Sequence, residues 1–346
     1  MFDPFALDGG QEHLIFWADP RSGLKAVLVL DDTTLGPAAG GIRTARYPDL
    51  AAAVADAARL ARAMTLKCAI SGLNAGGGKL VVIDHPGLDR ARAFDVIGQR
   101  IDSLGGVFRT AGDLGTSAQD LELVARRTSF VHLGEADLAA AVARGMLRSI
   151  EAVLAVEADR PLLIGARLDG LRVSVQGAGA IGAAVCRALV GAGARVKVAD
   201  VVAQKAQALA KEIEVEVVDP ARILEDETDI LAPCAIGGVV DAGLARRARA
   251  RAIVGAANNL LQDEAVSAIL LERKILHVPD VVASAGAVID GIGASVMGLA
   301  DRTELIDHLG LVAEQVLRES KLAGVSPTRI AEHRARQRIE HSRMLR

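Results

Sequence analysis

Short apolar runs and longer segments with apolar positions at helical spacing share the chain, and glycine-dense stretches interrupt both. Residues 24–30 (LKAVLVL) and 79–83 (KLVVI) predict strands. Residues 50–64 and 91–104 predict helices, the first with Asp49 as N-cap after Pro48, the second stopped by Gly105-Gly106. Past Asp137 the texture changes. A long helical pattern over 138–155 leads into strand 171–176, helix 182–191, strand 195–199 and helix 202–213. Strand-like 214–218, 229–231, 252–256 and 275–278 follow, with helical stretches between most of them. Such alternation predicts a parallel sheet covered on both faces. Before it, strands and helices mix around two glycine-dense stretches, 36–43 and 71–79. Residues 304–346 read as helical throughout and strongly charged.

Composition narrows the function classes. With 346 residues the chain has room for two domains. Aromatic residues make up only 2%, so Ala, Val, Leu and Ile must pack the core. Forty Lys and Arg against 43 Asp and Glu give a net charge of −3, without the basic footprint of a nucleic-acid binder. No apolar run approaches the roughly 18 residues of a membrane span, and the start MFDPF lacks the basic and apolar regions of a secretory signal. Cys68, Cys186 and Cys234 are odd in number and lack CxxC spacing, which predicts a reduced, cytoplasmic protein without disulfides or structural zinc. The histidines show no metal-ligand spacing, and no metal is expected.

Two regions carry candidate chemistry. Residues 173–182 read VSVQGAGAIG, a GxGxxG pattern after an apolar strand and before an alanine-rich helix. Gly177 would allow the tight turn, Gly179 the approach of a pyrophosphate, and Gly182 close helix–strand packing. The first helical residues, Ala180 and Ile181, would offer free N–H groups to phosphates. Asp200, at the end of the next strand, would bind the adenosine ribose and repel a 2′-phosphate, which favours NAD as cofactor. The competing reading is a glycine turn in an unliganded α/β domain.

The second region is MTLKCAISGLNAGGGKL, residues 64–80, where Lys67 and Lys79 flank a glycine-rich loop. Burial and a neighbouring cation both favour a neutral lysine, so one lysine could hold an anion while the other carries protons. Two solvated lysines are the alternative. Asp113 in RTAGDLGT would be catalytic if it faced the lysines and an N-cap otherwise. Gly40-Gly41 in GPAAGGIR could line a pocket, and the amides of GAANN (255–259) follow an apparent strand, where ligands of open α/β sheets bind.

Taken in order, LGPAAGGIR, MTLKCAISGLNAGGGK, TAGDLGT, VQGAGAIG, DILAPCAIGGV, GAANN and PDVVASAGAVI resemble the bacterial leucine, phenylalanine and valine dehydrogenases, relatives of glutamate dehydrogenase. The likeness runs from about residue 24 to 289, and MTLK and GPAAGG resemble the phenylalanine branch more than the leucine branch. It implies an α/β fold with a mixed-sheet substrate domain over 1–134 and a Rossmann NAD-binding domain over 135–317. Residues 318–346 would pack back on the first domain, with the active site in the cleft between the two. Lys67, assisted by Asn259, would bind the substrate carboxylate. Lys79 would be the acid–base that activates water, and Asp113 would move protons at the amine. Ala39, Gly40, Gly41, Val288 and Gly291 would surround the substrate. Cys234, Ala235, Ala257, Asn258 and Ser284 would join the glycine turn around NAD. The implied reaction is reversible oxidative deamination of an apolar L-amino acid to its 2-oxo acid and ammonia, in a homo-oligomer without nucleic-acid or membrane partners. Ala39 and Gly291 stand where larger residues are usual, which predicts a large, even aromatic, substrate.

Three departures from the family pattern open other readings. Leu138 takes the place of a threonine, Ser284-Ala285-Gly286-Ala287 that of Asn-Ala-Gly-Gly, and Gly112 that of an acidic residue. Two lost polar contacts would weaken nicotinamide orientation by about 1 kcal/mol each. A dehydrogenase or imine reductase for a non-standard amine, or a cofactor-binding homologue with little turnover, are the alternatives.

Overall fold

The computed structural model describes residues 11–133 and 138–345, which form two compact units. The first contains 11–133, 291–300 and 335–345; the second contains 138–290 and 301–334. The boundary expected at 134–135 falls outside the described residues.

The first unit is built on β1 (His13–Asp19), β2 (Leu24–Asp32), β3 (Ala38–Ala45), β4 (Gly76–Ile83) and β5 (Phe108–Gly112), in the order β1-β2-β4-β3-β5. β1–β2 and β2–β4 pair antiparallel, while β3 pairs parallel with both β4 and β5, so the sheet is mixed. Leu28, Leu30, Ile42, Leu80 and Val82 meet Phe94 and Ile97 of α2 (Arg90–Ser103) on one face. Val27, Val29 and Val81 meet an almost purely alanine stripe, Ala53, Ala57, Ala58 and Ala61, of α1 (Leu50–Ile70) on the other. Small side chains bring that helix close. A Cβ on Gly77 would lie 2.2 Å from the Ala61 carbonyl oxygen, and the alternation of strand side chains puts Gly77, Lys79 and Val81 on this same face.

In the second unit six strands pair in parallel: β6 (Arg172–Gln176), β7 (Arg195–Ala199), β8 (Val215–Val217), β9 (Ile230–Pro233), β10 (Ala252–Val254) and β11 (Leu276–Val278). Their order, β11-β10-β9-β6-β7-β8, is the doubly wound arrangement, which reverses direction between β6 and β9. The sequence expectation of a mixed-sheet α/β domain followed by a Rossmann-type domain is met.

Several local expectations are not. The glycine-dense stretch 36–43 is mostly strand β3, and Gly76–Gly78 lie within β4 rather than in a loop. Glycine masked the strand pattern here because it serves interstrand packing: a Cβ on Gly40 would lie 1.7 Å from the Gly78 carbonyl oxygen. The edge strand β1 carries no clean alternation and was not expected. The C-terminal region is two helices, α11 (Thr303–Ala323) and α12 (Pro327–Met344), broken by Gly324 at φ 65° with Pro327 opening the second.

Candidate active site

In the first unit three neighbouring strands converge on one carboxylate. Lys79 of β4 places Nζ 2.6 Å from Asp113 Oδ2, and Arg43 Nε of β3 donates to the same oxygen at 2.9 Å. Asp113 follows β5 in a turn locked to β3, where the Thr44 N–H donates to the Leu114 carbonyl at 2.9 Å. Helix α3 (Ala118–Ala125) takes its N-cap from Ser117, so Asp113 has no capping duty. Gly41 makes room for it: a Cβ there would meet the Asp113 Cβ at 2.9 Å. Arg43 reaches on to Asp56 Oδ2 of α1 at 3.1 Å, an oxygen that also accepts from the Tyr47 hydroxyl at 2.7 Å. Arg59 Nη2 holds the other Asp56 oxygen at 2.7 Å.

Lys79 is 6% exposed. Burial pushes its pKa down, Asp113 opposes this, and Arg43 adds to the depression. For Asp113 burial acts upwards, but Lys79, the Leu114 N–H and Arg43 outweigh it and hold the carboxyl below the usual range. A lysine whose pKa is depressed beside a firmly ionised carboxylate is suited to proton exchange. Buried ion pairs contribute little net stability, so a charge cluster retained here points to chemistry rather than to architecture.

Helix α1 runs on past residue 64 to Ile70 and carries Lys67. This lysine lies in the last turn of the helix and is buried. Arg43, a residue of GPAAGGIR to which the sequence alone assigns no role, is a cation shown to depress Lys79. Period-two alternation along 39, 41 and 43 would have placed it on the Lys79 face, had the stretch been read as a strand. Gly40 is packed against β4, and Ala39 is fully buried, in register with Gly77 and Arg109.

The second unit supplies the glycine turn after β6. Gly177 has φ 103°, and a Cβ on Gly182 would sit 2.0 Å from the Gly177 carbonyl oxygen and 3.5 Å from the Cys234 Cβ. Gly179 has open space where a Cβ would be. It is the N-cap of α5 (Ala180–Gly191), and no side chain caps that helix, so its first N–H groups face outwards with the positive end of the dipole. Asp200 Oδ2 accepts from the Ala178 N–H at 2.8 Å and Oδ1 from the Val202 N–H at 2.8 Å; these bonds outweigh the upward effect of burial and keep it ionised. Ala235 lies beside Gly177, its Cβ 2.9 Å from where a Gly177 Cβ would stand.

The remaining candidates are spread along the ends of β10 and β11. Ala257 is buried after β10. Asn259, at φ 51°, donates its backbone N–H to Asp280 Oδ2 at 2.9 Å, and its side chain is exposed. Ser284 donates its hydroxyl to the Asp280 carbonyl at 2.7 Å and lies 3.5 Å from Asn258 Oδ1. Val288 and Gly291 are on α10 (Gly286–Met297).

A mixed-sheet unit with a buried lysine paired to a carboxylate and a doubly wound unit with a phosphate-type glycine turn define an oxidoreductase class. Residues 12–130 match the profile of the Glu/Leu/Phe/Val dehydrogenase dimerisation domain, and 197–297 that of Glutamate/Leucine/Phenylalanine/Valine dehydrogenase. The leucine dehydrogenase of Bacillus subtilis is 35% identical, over 96% of this chain and 92% of that enzyme. The phenylalanine dehydrogenase of Thermoactinomyces intermedius is 37% identical, over 81% of this chain and 78% of its own length. The crystal structure of L-tryptophan dehydrogenase from Nostoc punctiforme superposes with a TM-score of 0.86 at 31% identity, covering 97% of this chain and 98% of that one. The chain belongs to the Glu/Leu/Phe/Val dehydrogenase family and is an amino-acid dehydrogenase.

Proposed function

We propose that the protein oxidises a large apolar or aromatic L-amino acid with NAD, reversibly, to the 2-oxo acid and ammonia. The observation that carries the chemistry is the buried Lys79 amine 2.6 Å from the half-buried Asp113 carboxylate, under the field of Arg43. NAD fits the second unit: the uncapped start of α5 suits a pyrophosphate, and the ionised Asp200 suits a ribose diol while repelling a 2′-phosphate. Gly177, Gly179, Ala180, Ile181, Gly182 and Asp200 would hold it, with Cys234, Ala235, Ala257, Asn258 and Ser284 nearby. When bound it supplies a nicotinamide ring that takes the hydride from Cα.

Lys67, in the last turn of α1, pairs with the substrate carboxylate. Asp113 accepts a proton from the substrate ammonium, leaving the neutral amine that hydride loss requires. Neutral Lys79 then takes a proton from water as its oxygen adds to the imine carbon. Lys79 releases that proton to solvent and then takes the hydroxyl proton of the carbinolamine as the carbonyl forms and the C–N bond breaks, while Asp113 returns its proton to the nitrogen, which leaves as ammonia. Arg43 keeps Asp113 oriented and opposes permanent protonation of Lys79.

A large side chain is supported by Ala39 and Gly291 and by the likeness to the tryptophan dehydrogenase. A homo-oligomer is supported by the dimerisation-domain match and by edge strand β1, where Phe16 is 48% exposed. A cytoplasmic setting is supported by the three unpaired cysteines. Initial rates of NADH formation on Val, Leu, Phe and Trp, and of NADH loss on their 2-oxo acids with ammonium, test the reading. Turnover of Phe or Trp above Val is expected; a preference for Val ends the large-substrate reading, and no turnover of any of them ends the function.

A further inference from the structure

The last turns of α12 grip the segment that joins the two lysines. Arg338 Nη1 donates to the carbonyls of Cys68 (3.3 Å), Ala69 (2.9 Å) and Leu73 (2.8 Å). Its Nη2 donates to the Gly72 carbonyl at 3.1 Å and to Asn74 Oδ1 at 2.9 Å. Cys68 and Ala69 belong to the final turn of α1, where helical carbonyls run out of intrahelical partners. Turn N–H groups supply some of the missing donors, Ser71 to Lys67 and Leu73 to Cys68, and the guanidinium supplies more. Its positive charge also sits at the negative end of the helix dipole. Five residues along, Arg343 holds the far side of the connection: Nη2 donates to Asp32 Oδ2 at 2.5 Å and Nε to Thr34 Oγ1 at 3.0 Å. Asp32 is the register partner of Gly77, two residues before Lys79.

A guanidinium spent on main-chain carbonyls costs burial, and burial lowers the Arg338 pKa. What it secures is local: one turn of helix and the bend after it. The residue of that turn with assigned chemistry is Lys67. We infer that Arg338 is a positioning residue for the amino-acid substrate, fixing the C-terminal turn of α1 so that Lys67 meets the carboxylate in a preset geometry. The inference rests on the function proposed above. It makes the final helix part of the substrate half-site while touching neither Lys79 nor Asp113 by any hydrogen bond shown for it.

Two variants test it, Arg338→Met and the gentler Arg338→Lys, which keeps the charge but cannot span the same acceptors as a planar fork. KM for the amino acid should rise tenfold or more in the first and several-fold in the second. KM for NAD and the pH dependence of kcat should stay at wild-type values. Amide hydrogen exchange over residues 68–75 should quicken at least tenfold, with the strands of the sheet unchanged. An amino-acid KM within twofold of wild type in both variants overturns the inference, as does an equal rise in both KM values, which reports general loosening. A wild type that oxidises no amino acid overturns the functional reading instead, so the two failures are distinct.

Discussion

In the first unit, charges from three strands meet at a single oxygen, the Oδ2 of Asp113, with Arg43 arriving from 70 residues away in sequence. In the second, ten consecutive residues make nearly all of the glycine turn, and one aspartate 22 residues on closes it through the Ala178 N–H. The first site is made of side-chain charge held in low dielectric, where moving one partner changes the protonation of the others. The second is made of backbone shape, where an added atom does the damage whatever its charge. Substitutions should therefore fail differently in the two units: in the first through rate and pH dependence, in the second through cofactor affinity.

The largest effect is expected at Lys79. Lys79→Ala should lower kcat by roughly 10²- to 10⁴-fold, the usual contribution of a positioned acid–base group. KM for NAD should barely move, and steady-state kinetics at saturating NAD would read both. Activity unchanged in this variant would refute the catalytic assignment.

Gly182→Val should produce the converse. Its Cβ would fall 2.0 Å from the Gly177 carbonyl oxygen, so the turn must open, at a cost of about 2–3 kcal/mol by the scale of overpacked sites. NAD binding, followed by nicotinamide fluorescence, should weaken by roughly the 30- to 150-fold that such a cost implies. An affinity within threefold of wild type would show that the glycine turn is not the cofactor site.

The second unit also buries an ionisable group whose neutral form burial favours, in contrast to the Asp113 carboxyl that the first unit holds ionised. His277 of β11 is 1% exposed, its Nε2 shared between Ser267 and Thr328, and burial lowers its pKa from 6.5 to about 4. Its folded pKa lies below the unfolded one, so stability from the neutral ring is complete above about pH 6.5. It is lost as pH falls, because the unfolded chain takes up the proton first. By pH 5 the loss should be about 2 kcal/mol, visible as a melting temperature that drops between pH 7 and 5 in wild type and drops less in His277→Gln. Equal drops in the two proteins would place the acid sensitivity elsewhere.

The smallest effect should come from Arg43→Gln, costing about tenfold in kcat at neutral pH through the lost charge-assisted hydrogen bond to Asp113. The sign of the pH change is the sharper readout. Arg43 depresses both Lys79 and Asp113, so its removal should raise both, and the rising limb of the kcat profile should move to higher pH. A limb that stays in place would mean that burial alone sets Lys79.

Helical spacing, strand–helix alternation and the glycine motif were enough to read the Rossmann unit. Each of its elements follows a local rule, and the turn is contiguous. The first unit was harder because glycine obscured the strands: Gly40, Gly41 and Gly76–Gly78 read as loop and fold as sheet. Without those strands, Arg43 had no face to belong to, and its contact with Asp113 could not be foreseen. Arg338 was less accessible still, since a charged residue in a polar helix gives no sign that it will meet carbonyls more than 260 positions earlier.

By itself the sequence determined the two-part α/β plan, the glycine turn with its acidic partner, and the identity of Lys67, Lys79 and Asp113 as candidates. It did so because periodicity and turn chemistry are properties of neighbouring residues. Only the tertiary structure decided that Lys79 is buried against Asp113, that Arg43 adds to the depression of its pKa, and that the last helix clamps the end of α1. Those outcomes depend on desolvation and on distances between remote segments, which exist only once the sheet has brought its strands together.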